Sequence, residues 1–313
     1  MKGKVAPPKE MAKGRVSKQL RKSRELYLLL LPSAVLLILF SYIPMYGVLM
    51  AFQDYNPALG IWGSKWVGLQ NFIEYFNSWQ FLRTLKNTLT INILSIVIQF
   101  PLPILLALFC NQMKNAVFKK FFQVSTYLPH FISTVVLCGM IILFTSPNRG
   151  IIAHLLSYVG VEFPNVMGSA DAFPWLFVIT GVWQNLGWDS ILYVAALSSI
   201  DPSYYEAAEL DGATKWQKIK YIDLPSLAPT ICIQFILRCG SILGVGYEKV
   251  LLLQNSMNLP SSEVISTYVY KLGIQSNQFG QSAAIGLFNT LVGLALLLVV
   301  NKICDRLQDT SLL

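Results

Sequence analysis

The sequence predicts an all-α polytopic membrane protein with six transmembrane helices and both termini in the cytoplasm. Three observations carry that prediction. Charged residues make up only 13% of the 313-residue chain and hydrophobic residues 54%, where an ordinary soluble domain is about 25% charged. Six apolar segments, near 26–52, 85–110, 122–146, 173–198, 226–250 and 282–303, each reach the ~20 residues a helix needs to cross a bilayer. Basic residues are also distributed unevenly. With the N-terminus inside, the inner segments hold 17 of the 24 Lys and Arg and the outer loops five, while Arg238 and Lys249 fall within the fifth segment. Excess positive charge marks the cytoplasmic side.

In chain order, residues 1–25 form a basic cytoplasmic tail with nine Lys and Arg in its first 24 positions. The net charge of +8 therefore sits beside a membrane span, where it orients the chain and touches anionic lipid; it does not point to nucleic acid. The tail does not read as a cleavable signal: its charged region is long, the apolar run after it exceeds an h-region, and no A-x-A site follows. Residues 26–303 form the six-helix domain and 304–313 a cytoplasmic C-terminal end. Pro32, Pro44, Pro101, Pro103 and Pro129 lie in apolar segments, where neighbouring helices tolerate kinks. The outer loops, 53–84, 147–172 and 251–281, carry Trp62, Trp66 and Trp79 as interfacial anchors. Gly240 and Gly244, four residues apart, suit close helix contact. The five cysteines all lie in or beside apolar segments without metal-ligand spacing, so they read as small buried apolar residues. Neither a metal nor a cofactor is expected.

Two charges stand inside spans: Asp189 in the fourth and Arg238 in the fifth. An intramembrane charge is costly and must face the bundle interior, a partner or water. Counted from the same membrane face, the two differ in depth by roughly 4–5 Å at 1.5 Å rise per residue. One reading is a structural ion pair. The other is that Trp183, Gln184, Trp188, Asp189 and Arg238 line a polar solute path. No G-x-x-x-x-G-K-[ST], G-x-S-x-G or H-E-x-x-H occurs, and His130 and His154 are far apart, so the chain carries no phosphate-cradling loop or hydrolase motif of its own. The alternative function is an ion-coupled secondary carrier for a polar solute, with Asp189 as its ion site.

The most polar interior stretch is Glu206 to Pro225, EAAELDGATKWQKIKYIDLP. Asp201 suits an N-cap and Pro202 the first helical position. Gly212 suits a positive-φ helix stop. Thr214 and Gln217 have capping-box spacing. Two short helices bent at Gly212 are expected, with Trp216, Ile219 and Ile222 forming one apolar stripe on the second. An apolar knob on a cytoplasmic loop suits a groove in another protein.

These residues resemble the EAA loop of permease subunits of ABC importers: Glu206, Ala207, Ala208, Asp211, Gly212, Ala213, Ile222, Leu224 and Pro225 match, and Ile219 stands where phenylalanine is common. NTLTINILSIVIQFPLPILLALF, YLPHFIS, STYVYKLGI and QSAAIGLFNTLVGLALLLVVNK are similar to the LplB-type subunits of carbohydrate importers, a likeness that covers most of the chain from about residue 26. The resemblance implies a type I importer for an oligosaccharide, uronide-containing ones included. It also implies a second permease subunit, two copies of a cytoplasmic ATPase and an extracellular solute-binding protein. Within 199–225 it assigns ATPase coupling to Glu206, Ala207, Ala208, Asp211, Gly212, Trp216, Ile219, Leu224 and Pro225.

Overall fold

The computed structural model describes residues 24–147 and 149–308. The predicted basic tail up to residue 23 and the last five residues of the C-terminal end lie outside them. Helix α1, Arg24–Leu37, runs on through a π turn at Ile38–Tyr42 and a 3-10 segment at Ile43–Phe52. Pro44 explains the change of pitch. Its ring would strike the carbonyl four residues back in an α-helix. The wider π turn, closed by Ile43 N–H on the Ile38 carbonyl, removes that conflict.

A two-stranded hairpin (β1, Gln53–Asp54; β2, Lys65–Trp66) and α2 (Gln70–Asn77) follow. Then come α3 (Trp79–Gln99) and α4 (Pro101–Asn111), stacked end to end with Pro101 opening the second. α5 (Ala116–Tyr127) is N-capped by Asn115, whose side chain accepts from the Val117 and Phe118 amides. After a 3-10 turn at Leu128–Phe131, Ser133 caps a new helix, α6 (Thr134–Phe144). The chain bends by 96° there. The third expected span, 122–146, is therefore broken. Pro129 takes a donor out of the helix ladder and Ser133 starts a fresh one in a new direction.

α7 (Phe173–Ser198) is the hub and packs on α3, α4, α5 and α10 (Leu224–Gly240). Between α7 and α10 lie α8 (Pro202–Leu210) and α9 (Lys215–Lys218). A π turn at Ile219–Asp223, closed by Leu224 N–H on the Ile219 carbonyl, joins α9 to α10. It precedes Pro225 as the first π turn precedes Pro44. α11 (Tyr247–Leu253) is short and lies beyond a turn. α12 (Phe279–Gln308) closes the bundle against α10 and the 43–52 segment. At the α10–α12 crossing, a Cβ on Gly293 would lie 2.6 Å from the Gly240 carbonyl, so the backbones meet directly. Gly244 does not share this role, because it lies in the turn after α10.

Among the described residues, four helices are long and apolar enough to cross a membrane: Glu25–Phe52, Trp79–Asn111, Lys215–Gly240 and Phe279–Arg306. The bent pair α5–α6 makes a fifth. α7 has the length, at 26 residues, but its mid-section carries Gln184, Asn185 and Asp189. The fifth expected segment, 226–250, ends at Gly240 rather than running to Val250.

Candidate functional site

Two features carry chemistry. The first is a pair of neighbouring cavities among α3, α7 and α10, each bordered by polar side chains. The larger, about 390 Å³, is lined by Gln99, Trp188, Asp189, Gln234 and Arg238 with apolar neighbours. The smaller, about 180 Å³, is lined by Asn92, Gln99, Gln184, Asn185, Arg238 and Lys249 among others. Gln99 and Arg238 border both. Gln99 closes α3 and anchors its amide on α7, donating from Nε2 to the Val178 carbonyl at 3.0 Å. Its Oε1 accepts from Arg238 Nη2 at 2.9 Å. Gly181 makes this possible: a Cβ there would lie 2.3 Å from Gln99 Nε2 and 3.7 Å from Lys249 Nζ.

Asp189 and Arg238 line the same cavity, but no ion pair joins them; the ion pairs among the described residues are at Glu263 and Glu209. Of the two readings of these charges, the structural ion pair is thus corrected. Gln99, fixed to the α7 backbone, gives the guanidinium a neutral acceptor first. Trp188 stacks on His130 with ring centroids 4.3 Å apart and planes 5° apart. Asn185 Oδ1 lies 3.0 Å from His130 Nδ1. Gln184 Nε2 donates to the Ile132 carbonyl at 3.2 Å, bracing the break after α5. Trp183 borders neither cavity and is 48% exposed. Gln99, His130 and Lys249 belong to this polar layer and were not singled out from sequence. A glutamine closing an apolar helix just before Pro101 and a lysine in an apolar run were the available signals.

The second feature is the 199–225 loop. Asp201 caps α8, its carboxylate accepting from the Ser203 amide at 2.9 Å. Gly212 has φ +74°, and Ala213 N–H reaches back to the Ala208 carbonyl at 2.8 Å. Thr214 and Gln217 form the capping box, with Thr214 N–H donating to Gln217 Oε1 at 2.7 Å. Lys218 Nζ meets Glu209 at 2.6 Å across the bend. The caps and the Gly212 stop are as the sequence predicts; the Lys218–Glu209 ion pair was not foreseen. Two others are corrected. The second arm is not a separate short helix, since it continues into α10 through the π turn that absorbs Pro225. The apolar stripe also divides: Trp216 is 71% exposed, whereas Ile219 packs inward against Ala107, Leu108, Leu197 and Leu227. The period of the stripe ignores that Ile219, in the π turn after α9, packs on a cluster drawn from α4, α7 and α10.

Asp223 fastens the loop to the bundle. It is fully buried and accepts from Tyr205 Oη of α8 at 2.5 Å, Gln112 Nε2 at 3.1 Å and Asn111 Nδ2 at 3.3 Å, the last two at the end of α4. Burial, and then the bond to this carboxylate, push the Tyr205 hydroxyl up to about 12. Leu210, Trp216 and Tyr221 project from the outer face of the loop, with Leu210 91% exposed. Glu206, Ala207, Asp211, Gly212, Leu224 and Pro225 are exposed too, and Ala208 is half-buried.

Residues 99–310 match the family described as binding-protein-dependent transport system inner membrane component. The polygalacturonan/rhamnogalacturonan transport system permease protein YteP of Bacillus subtilis strain 168 is 39% identical over 94% of this chain and 92% of its own length. Protein LplB of the same organism is 38% identical over the same shares. Among solved structures, a chain of a bacterial ABC transporter involved in import of the acidic polysaccharide alginate superposes with a TM-score of 0.85 at 39% identity, covering 93% of this chain and 99% of that one. A chain of the alginate transporter in complex with an alginate pentasaccharide-bound periplasmic protein gives 0.87 at 38% identity, covering 95% and 100%. Sequence and fold agree along nearly the whole length: this chain belongs to the inner membrane component family of binding-protein-dependent transport systems.

Proposed function

We propose that the chain is the permease subunit of an ABC importer that carries an oligosaccharide, uronide-containing ones included, into the cytoplasm. The observation that carries this reading is the join between the two features. The EAA-type loop is continuous with α10 and fastened to α4 through Asp223, and α10 also brings Arg238 to the polar cavities. A push on the loop therefore reaches the solute path through one helix. Solved and curated relatives that handle polygalacturonan, rhamnogalacturonan and alginate support the carbohydrate class, and a relative in complex with a loaded periplasmic protein supports a solute-binding partner.

In this reading the chain is a multi-pass protein of the bacterial cell membrane. The domain of residues 26–303 spans it six times, α7 serving as the polar inner span, with both ends and the 199–225 loop cytoplasmic. It pairs with a second permease subunit. Two cytoplasmic ATPases receive the loop, with Leu210 and Trp216 entering a cleft and Glu206 and Asp211 on its rim. Ala207, Ala208, Gly212, Leu224 and Pro225 keep the shape of the loop, and Ile219 holds it to the bundle. Hydrogen-bonding side chains and the Trp188 face are suited to sugar hydroxyls and ring faces. An ion-coupled carrier is disfavoured, because among the described residues Asp189 is the one carboxylate lining either cavity.

Reconstitution with the second permease, the ATPase and the solute-binding protein tests this. Oligosaccharide accumulation that requires ATP and survives collapse of ion gradients is expected. Accumulation that follows a proton or sodium gradient without ATP would refute it.

A further inference from the structure

We infer that Lys249 and Arg238 form a carboxylate-binding site in the polar cavities, which holds the uronate group of an acidic oligosaccharide in transit. The inference rests on the reading of the chain as an oligosaccharide permease. Lys249 is 8% exposed and lines the smaller cavity. Its ammonium has three donors. One meets the Phe177 carbonyl at 3.2 Å, and the Phe177 ring lies under the charge with its centroid 4.7 Å away. Neither Lys249 nor Arg238 pairs with a carboxylate among the described residues.

The same chain shows how it treats a structural cation. Lys271 reaches Glu263 at 3.0 Å, and Arg83 joins the same carboxylate at 3.9 Å. Lys249 and Arg238 have no such ion pair although both line the smaller cavity. A cation buried in a bundle interior needs an anion or ordered dipoles; here Lys249 has the Phe177 carbonyl and ring, Arg238 has the Gln99 amide, and among the described residues no carboxylate lies within ion-pair distance of either. Arg238 is held in register by Gln99 and keeps further donors for a ligand. The absent Cβ at Gly181 keeps the space in front of Lys249 open. Asn92, Gln184 and Asn185 supply neutral groups for hydroxyls around it. Asp189 lines only the larger cavity. A carboxylate leaving the two cations on that side meets a like charge, which favours release.

The test uses the whole importer in proteoliposomes with trigalacturonate as probe. Lys249→Met should lower ATP-driven uptake at sub-saturating probe at least tenfold, with substrate-free ATP hydrolysis within twofold of wild type. Lys249→Arg should stay within threefold. If Lys249→Met reduces the amount of complex, Lys249→Gln, which keeps a donor for Phe177, takes its place. A second readout is charge selectivity. A cysteine at Asn92 should react faster with an anionic than with a cationic methanethiosulfonate, and loss of the Lys249 charge should cut that ratio at least threefold. Uptake within twofold of wild type, uptake and substrate-free hydrolysis falling in step, or a labelling ratio indifferent to Lys249 would each overturn the site. A wild-type importer that moves a neutral oligosaccharide but not trigalacturonate also overturns it and leaves the permease reading intact. One that moves no oligosaccharide refutes the permease reading itself.

Discussion

Asp223 shows what one buried side chain does for this molecule. Its carboxylate is taken out of water and repaid by three donors from two other elements. A fully buried donor left without its acceptor costs roughly 1–3 kcal/mol, and these three half-buried donors lose less each. Asp223→Leu should therefore lower the thermal midpoint of the purified complex by several degrees and loosen the loop. Asp223→Asn, which keeps one acceptor oxygen, should lie between it and wild type; equal stability in all three would mean the node is idle. At Gly212, φ is +74°. Alanine should be tolerated partly, and valine poorly, because β-branching resists that region. Membrane abundance should stay normal while uptake falls, most for Gly212→Val. The Gly212 stop, the Asp201 cap and the Thr214–Gln217 box were legible in the sequence because each depends on residues within four positions. Gln99, Lys249 and Asp223 were not. Their roles arise from partners that lie far away in the chain, such as Val178, Phe177 and Asn111.

At the scale of elements, proline and glycine set how helices join and cross. The π turn before Pro225 fixes the rotation of α9 relative to α10. With alanine at 225, an N–H is restored and the turn can relax to α-helical pitch. Trp216 would then swing around the axis relative to Arg238. Pro225→Ala should leave assembly intact and raise ATP consumed per sugar; an unchanged ratio would show the turn to be incidental. The α10–α12 crossing has no room for a side chain. Gly293→Val should cost about 1–3 kcal/mol as overpacking, read as a several-fold loss of folded protein in membranes. Most element positions were readable from apolar length alone. The break after α5 was not, because proline in a span signals a kink without its angle. The stripe on α9 was half readable: periodicity identified a face but not what it faces.

In the molecule as a whole, α10 joins a loop at one end to cavities deeper in the bundle. Orientation is the first condition, since the loop must share a compartment with ATP. In a background lacking the native cysteines, a cysteine at Ser203 should resist an impermeant thiol reagent in intact cells, and one at Ser169 should react. The reverse pattern would turn the molecule over. The membrane class was evident in composition, and the helical caps and bend of the loop in one twenty-residue stretch. The polar interior was less so, because α7 reads as just another span until its neighbours are known. The central claim is that the 199–225 loop transmits ATPase closure to the sugar path. Its most direct test is the ratio of oligosaccharide imported to ATP hydrolysed by the reconstituted importer with Trp216→Ala. Trp216 is exposed and touches no core cluster, so folding should be unaffected. Normal membrane abundance, weakened ATPase retention and at least a fivefold fall in sugar imported per ATP are expected; a wild-type ratio with the ATPase fully retained would show that the loop does not transmit ATPase closure.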